Sequence, residues 1–282
     1  MPGILYVVAT PIGNLEDVTL RALRILREVS LIAAEDTRRT LGLLQHYSIS
    51  TRTTSLHEHN EHAKTPALIA RLKSGDSIAL VSDAGTPGVS DPGGELVASA
   101  HAEGIRVEPI PGASAALAAL SASGVSDPEF LFVGFPPHRS NARKKWLARL
   151  TSEQRTIVLY EAPHRIRDTL EDLLAILGDR TVALGRELTK AHEQLVVQPI
   201  SSHLKDTKPP RGEYTLVIFP TNKPAGRKID APEPPEMASE FGQLTLSEGL
   251  SRRAALRALA EKYDLPTREV FSLLERARVS GE

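Results

Sequence analysis

The chain has 282 residues, 41% of them hydrophobic and 24% charged, with a formal net charge of −1; this is globular composition with room for one large or two medium domains, and it argues against a uniformly basic nucleic-acid binder while allowing a local basic face. It contains no cysteine, which excludes disulfides, thiolate-bound zinc and cysteine nucleophiles and suits a reducing, cytoplasmic setting. Aromatic residues make up 4%, so the core must be built mainly from Ala, Leu, Val and Ile.

The segment through Asn14 has a short apolar run and no basic leader, so it reads as a first core strand and not as a signal peptide. No run of about 18 apolar residues occurs, and no membrane-spanning helix is expected. Residues 4–9 are continuously apolar and closed by Thr10-Pro11, the pattern of a strand buried on both faces. Over residues 18–29, Leu20, Leu23, Ile25 and Leu26 recur at helical spacing, with Arg21, Arg24 and Arg27 between them. Residues 31–34 predict a short strand ending in Glu35-Asp36-Thr37-Arg38. A helix is expected over 62–73 and a strand over 77–81, closed by Ser82-Asp83-Ala84-Gly85-Thr86-Pro87. A helix over 94–101, a strand over 106–109 and an Ala-rich helix over 113–121, opened by Pro111-Gly112, follow. Strands alternating with helices predict parallel βαβ units, whose ligands bind beyond the carboxyl ends of the strands.

The alternation breaks near residues 124–128. Strands are then expected over 130–133, 157–160, 182–184, 195–197 and 214–219, and helices over 142–150 and 166–177. The later strands lie too close in sequence for helices between them, so the second sheet should be mixed. Pro220, Pro224, Pro232, Pro234 and Pro235 predict a linker. Beyond it, Thr245 and Glu248 fit a capping box ahead of a helix with Leu250, Ala254, Leu256 and Leu259. After Leu265-Pro266-Thr267 a second helix carries Val270, Phe271, Leu273 and Leu274. With Arg252, Arg253 and Arg257 this pair reads either as a nucleic-acid-binding helix-turn-helix or as a docking hairpin. The expected organisation is an α/β domain over 1–124 with a mostly parallel sheet, a second α/β domain over 125–220 with a mixed sheet, a linker over 221–240 and a helical extension over 241–282.

Three glycine- and proline-bearing turns fall at ends of predicted strands in the first block: Thr10-Pro11-Ile12-Gly13-Asn14, the loop from Asp83 through Ala84, Gly85, Thr86 and Val89 to Gly94, and Pro111-Gly112-Ala113-Ser114-Ala115. Glycine admits close backbone approach, and free amides at a helix start take oxygen ligands. Neither a Walker A nor a G-x-G-x-x-G pattern is present. One such turn is an ordinary connection; three along one sheet edge favour a ligand cleft. Glu35-Asp36-Thr37-Arg38-Arg39 is either a helix cap or a substrate-positioning group. The histidines of His57-Glu58-His59-Asn60-Glu61-His62 lack H-E-x-x-H spacing, so a polar substrate loop is favoured and no metal is expected. Tyr160-Glu161-Ala162-Pro163-His164-Arg165 and Gly185-Arg186-Glu187-Leu188-Thr189-Lys190 are either surface ion pairs or the opposite wall of that cleft. Arg139, Arg143, Lys144, Lys145 and Arg149, with Arg38, Arg39, Arg165 and Arg167, are candidates for phosphate contact or simply exposed charges.

Taken in order, the strings Leu5-Tyr6-Val7-Val8-Ala9-Thr10-Pro11-Ile12-Gly13-Asn14, Ala34-Glu35-Asp36-Thr37-Arg38, Asp83-Ala84-Gly85-Thr86-Pro87, Ser90-Asp91-Pro92-Gly93, Tyr160-Glu161-Ala162-Pro163-His164-Arg165 and Arg186-Glu187-Leu188-Thr189-Lys190 resemble the tetrapyrrole methylase family, and within it the branch that modifies ribosomal RNA. The resemblance spans residues 3–220. It implies two α/β domains with S-adenosylmethionine between them, a homodimer, and 2′-O-ribose methylation of a cytidine in the decoding region of 16S ribosomal RNA, with naked 16S RNA or the 30S subunit as the partner. It also implies that Pro11, Asp83, Ala84, Gly85, Thr86, Val89, Ser114 and Ala115 line the cofactor site, with Glu161 and Glu187 facing it from the second domain. Small-molecule methylases of the family usually carry Gly-x-Gly-Pro-Gly in the first loop and Gly-Asp-Pro where this chain has Gly85-Thr86-Pro87. Those departures favour the RNA branch over the alternative, a porphyrinoid-type substrate. Proton removal from the ribose hydroxyl is assigned to Asp36 or His57, with Arg38 holding a phosphate.

Overall fold

Five short strands supply the first sheet: β1 (Leu5–Val8), β2 (Leu31–Ala34), β3 (Thr53–Ser55), β4 (Ile78–Val81) and β5 (Val107–Ile110). All pair in parallel, in the order β3-β2-β4-β1-β5. The computed structural model describes residues 2–126, 129–205, 212–220, 232, 234–247, 250–263 and 265–279.

Parallel neighbours require crossovers, and four helices provide them: α1 (Leu20–Glu28), α2 (Thr37–His46), α3 (Glu61–Lys73) and α4 (Gly94–Ala102). The apolar stripe of α1 buries Ala22, Leu23, Ile25 and Leu26 with Leu44 of α2 against Val8, Ile32, Ala34, Ala79 and Val81. Because side chains alternate along a strand, the intervening Leu5, Leu31, Ala33, Ile78 and Leu80 face the other way, where α3 and α4 contribute Leu68, Ile69, Leu72, Leu96 and Ala100. A sheet covered on both faces explains why its central strands are continuously apolar. Sequence patterning misses α2, read there as a cap or substrate group, and β3, whose Thr-Thr-Ser sits at the sheet edge and pairs only with β2.

The crossover from β1 to β2 passes one way over β4, and that from β4 to β5 passes the other way over β1. The direction in which the connections step across the sheet therefore reverses between β1 and β4, and a crevice opens at their carboxyl ends. There Thr10 and Gly85 exchange backbone hydrogen bonds at 2.8 and 3.0 Å.

The second sheet joins β6 (Phe130–Phe132), β7 (Thr156–Glu161), β8 (Thr181–Arg186), β9 (Gln194–Pro199) and β10 (Tyr214–Ile218) in the order β6-β7-β10-β8-β9. Only β6 and β7 run parallel, so the sheet is mixed, as the short connections require. One face packs on α6 (Ser140–Ala148), α7 (Ile166–Leu177) and the short α8 (Ile200–His203) through Leu147, Ile166, Leu170, Leu173 and Ile200. The other face takes Ala116 and Ala119 of α5 (Ala115–Ala122), with Ile12 and Leu188, onto Val158, Ala183 and Val217. A loop of the first sheet and a face of the second thus share one core.

The described residues through Pro220 form one compact unit and those beyond it another. In the second unit α9 (Pro234–Gly242), α10 (Arg252–Lys262) and α11 (Thr267–Val279) surround Met237, Leu259, Tyr263 and Val270. The linker expected over 221–240 falls largely on residues 221–231 and 233, which lie outside the described residues; α9 occupies its end, starting on Pro234 and Pro235, where the missing amide costs nothing. Of the expected capping box, only Thr245 is among the described residues. Glu248 lies outside the described residues, Thr245 Oγ1 donates to the Phe241 carbonyl at 2.8 Å, and Ser251 caps α10 by accepting from the Ala254 amide at 3.3 Å. Among the described residues, no helix is long and apolar enough to cross a membrane.

Candidate functional site

A cleft of about 510 Å³ opens where the carboxyl ends of β1, β2 and β4 meet the α5-bearing face of the second sheet. That volume lies within the usual span of small-molecule sites, about 300–1,000 Å³. From the first half come Ile12, Glu35, Arg39, the loop from Asp83 to Thr86, Val89, Ser90, Asp91, Ser114 and Ala115. From the second come Phe135, Tyr160 to Pro163, Leu188 and Glu213 to Thr215.

The turns are locked to one another. Gly85 takes φ +80, a left-handed conformation suited to glycine, beside the Thr10 pairing. The Thr86 hydroxyl donates to the Ala113 carbonyl at 3.4 Å, joining the β4 loop to the start of α5. Ser114 caps α5, and the Ala116 amide donates to the Tyr160 hydroxyl at 3.2 Å, binding that helix start to β7. Burial raises the Tyr160 phenol above its ordinary pKa. Gly13 comes so close to the β8–β9 loop that a Cβ there would lie 2.4 Å from Lys190 Cγ.

Acidic groups form one rim. Asp83 accepts the Asp36 amide at 2.9 Å and pairs with Arg39 at 3.3 Å, and Glu35 accepts the Asp83 amide at 3.1 Å. Asp91 stands beside them. On the opposite wall Glu161 is buried and accepts from the Ala162 amide, from Arg165 and from the Thr169 hydroxyl, at 2.8, 3.2 and 2.5 Å. Arg165 also donates to the Pro136 carbonyl at 2.6 Å, which fixes the loop presenting Phe135 at a tilt to Tyr160, ring centres 5.3 Å apart.

Of the residues named from sequence, Asp83, Ala84, Gly85, Thr86, Val89, Ser114, Ala115 and Glu161 meet in this cleft. Pro11 lines an adjoining hollow of about 340 Å³ that shares Ile12, Arg39 and Asp83 with it. Glu187 lines neither hollow; its carboxylate binds Lys190 Nζ at 2.9 Å and the Glu213 amide at 3.0 Å, and the Lys190 contact lowers its pKa. Asp36 and Arg38 do not line the cleft. They pair with each other at 2.7 Å while Asp36 caps α2, and the Arg38 hydrogen bonds hold the Asp36 carboxyl down at about 2. Glu35 and Arg39 point into the cleft in their place.

His57 also lies outside the cleft lining. It is held by Asn60, through its amide to Asn60 Oδ1 and its ring to Asn60 Nδ2, both at 2.9 Å. The rest of that string is structural as well: Glu61 accepts the Gly93, Glu95 and Leu96 amides at the start of α4, and His62 meets Glu95. Among the described residues, no group of three His, Asp or Glu side chains is placed to hold a metal ion. The supposed basic stripe on α6 loses Arg143, which is buried on Asp172 at 2.7 Å. Sequence reasoning passed over Ile12, Phe135, Asp91, Leu188 and Glu213; Asp91 lay inside the quoted glycine loop, and the signal for it was its place in that string.

The family model for tetrapyrrole (corrin/porphyrin) methylases matches residues 4–203. A protein of Synechocystis sp. named "Ribosomal RNA small subunit methyltransferase I" is 48% identical over 286 residues, covering 99% of this chain and 100% of the relative. Among solved structures, a diphthine synthase superposes with TM-score 0.62 at 18% identity, over 77% of this chain and 90% of the other. A uroporphyrin-III C-methyltransferase from Thermus thermophilus, complexed with S-adenyl homocysteine, superposes with TM-score 0.54 at 20% identity, over 77% of this chain and 97% of the other. The two-sheet architecture is that of these solved structures, the matched residues run through both sheets, and the chain belongs to the tetrapyrrole methylase family.

Proposed function

We propose that the chain transfers a methyl group from S-adenosylmethionine to small-subunit ribosomal RNA, at the 2′ hydroxyl of a cytidine in the decoding region of the 16S molecule. The observation that carries this reading is the full-length relationship to a protein named for methylating that RNA. The cleft fits the cofactor. Ile12, Ala84, Val89 and Leu188 offer apolar surface, the start of α5 offers amides, and Glu35 and Asp83 offer negative charge for a cationic ligand. When bound, S-adenosylmethionine supplies an activated methyl group on a positive sulfur.

The chain's own part is to bind, orient and exclude water. The turns at Gly85, Thr86, Val89, Ser114 and Ala115 hold the cofactor, with Asp83 and Ala84 beside them and Pro11 at the adjoining hollow; Glu161 keeps the opposite wall in place. Glu187 acts at a distance, by holding Lys190 and the Glu213 backbone at the cleft edge. Exposed Arg38 and Arg39 meet RNA phosphate at the mouth. We further infer a cytoplasmic homodimer that uses no metal, with residues 1–124 and 125–220 as its two α/β domains.

The test is transfer of labelled methyl from S-adenosylmethionine to 30S subunits and to naked 16S RNA, followed by nucleoside analysis. Label in 2′-O-methylcytidine is the expected result. Label absent from RNA, or transferred to a porphyrinoid offered in parallel, overturns it.

A further inference from the structure

Most acids on the cleft are already engaged. Glu161 is consumed by Arg165 and Thr169, Asp83 by Arg39 and a backbone amide, and Glu213 by Lys190. Glu35 accepts the Asp83 amide. Asp91 differs. It lines the cleft, no ion pair among the described residues engages it, and the charges that bear on it, Glu35 and Asp83, are both negative.

Its position is built by the backbone. Ser90 adopts φ +66, a left-handed conformation that costs a non-glycine residue of the order of 1 kcal/mol and persists only where the surroundings enforce it. Gly134 of the second half lies against Ser90: a Cβ there would lie 2.8 Å from Ser90 Oγ. A loop of the first sheet is thereby seated on the second, with the next side chain, Asp91, on the cleft.

We propose that Asp91 accepts the proton of the ribose hydroxyl during methyl transfer. This rests on the function proposed above. The hydroxyl oxygen bonds to the donated methyl carbon, the carbon–sulfur electron pair stays on sulfur as a neutral thioether, and the hydroxyl proton passes to an Asp91 carboxylate oxygen. Asp36, down at about 2, is a weak base, and His57 does not line the cleft. Burial, reinforced by the negative charges of Glu35 and Asp83, lifts the Asp91 carboxyl to about 6. It is then ionised at neutral pH yet more basic than an ordinary carboxylate. The groups facing it are Glu35 at the end of β2, Asp83 with Arg39 at the end of β4, and Tyr160 of β7, whose phenol feels the Asp91 charge. Glu61 of α3 is spent on the amides that follow.

The experiment compares full-length wild type, Asp91→Asn and Asp91→Glu with S-adenosylmethionine and 30S subunits. Cofactor affinity is read by calorimetry, kcat across pH 5–9, and thermal melting without RNA. Wild-type kcat should rise about tenfold per pH unit below about 6 and level off above it. Asp91→Asn should bind the cofactor as wild type does, lose about 100-fold or more in kcat, and lose the acid limb; Asp91→Glu should recover part of the rate. A carboxyl whose pKa is raised on folding loses stability as pH rises from its unfolded value through about 6, so Asp91→Asn should melt above wild type at neutral pH. A residue with a purely structural role would melt lower when changed. Retained kcat with the same acid limb, or a lower melting temperature with proportionate loss of cofactor binding, overturns the assignment. Absence of transfer by wild type overturns the proposed function instead.

Discussion

Neighbouring residues at the cleft divide their duties according to backbone geometry. Glu35 and Asp36 are adjacent at the end of β2, and side chains alternate there, so only Glu35 points into the cleft while Asp36 caps α2. Sequence shows the pair but not the phase, so it does not tell which acid of that string lines the cleft. The glycine turns were legible because Gly85 and Thr86 do their work through local conformation and nearby backbone. Asp91 was not, because much of its environment comes from Glu35 and Tyr160, both far off in sequence. The buried Glu161–Arg165 pair gives a prediction at this scale. Its side chains are 0% and 7% exposed, and removing one partner leaves the other's charge buried. Glu161→Ala should therefore cost about 3–5 kcal/mol in urea unfolding. The exposed Arg24–Glu28 pair is the control: Arg24→Ala should cost about 0.5 kcal/mol or less.

Elements were legible wherever apolar spacing matched a period. Residues 31–34 and 166–177 have the bounds that spacing predicts, β2 and α7. Elements fixed by a cap or by a neighbour were not, as α2 and β3 show: the first begins on Asp36, and the second exists only by pairing with β2. α4 combines both kinds of information. Its N-cap, Gly93, has no side chain, and Glu61 of α3 supplies the missing carboxylate to three of its amides. Gly93 also takes φ +115, and a Cβ there would lie 2.5 Å from Leu80 Cδ2. Gly93→Ala is therefore expected to destabilise by about 1–3 kcal/mol through strain alone, measured by denaturant midpoint. It should weaken cofactor binding too, since the loop carrying Thr86 and Val89 ends there.

For the molecule as a whole, the two units have separate cores, the second built on Met237, Leu259, Tyr263 and Val270. A chain ending at Pro220 should fold, melt cooperatively by circular dichroism, and bind S-adenosylmethionine with the affinity of the full chain. Loss of the fold or of that affinity in the shortened chain would refute the independence of the first unit. Within that unit the situation is reversed: Ile12 and Ala84 of one sheet's loops, α5, and Val158, Ala183 and Val217 of the other sheet form one continuous packing. Gly13 pressed against Lys190 adds a second point of closure. Close-packed interiors deform little, so the gap between the sheets is set when the chain folds. Ligands then enter a slot of fixed gauge instead of a jaw that shuts on them, and selection falls to shape and charge already in place before anything arrives.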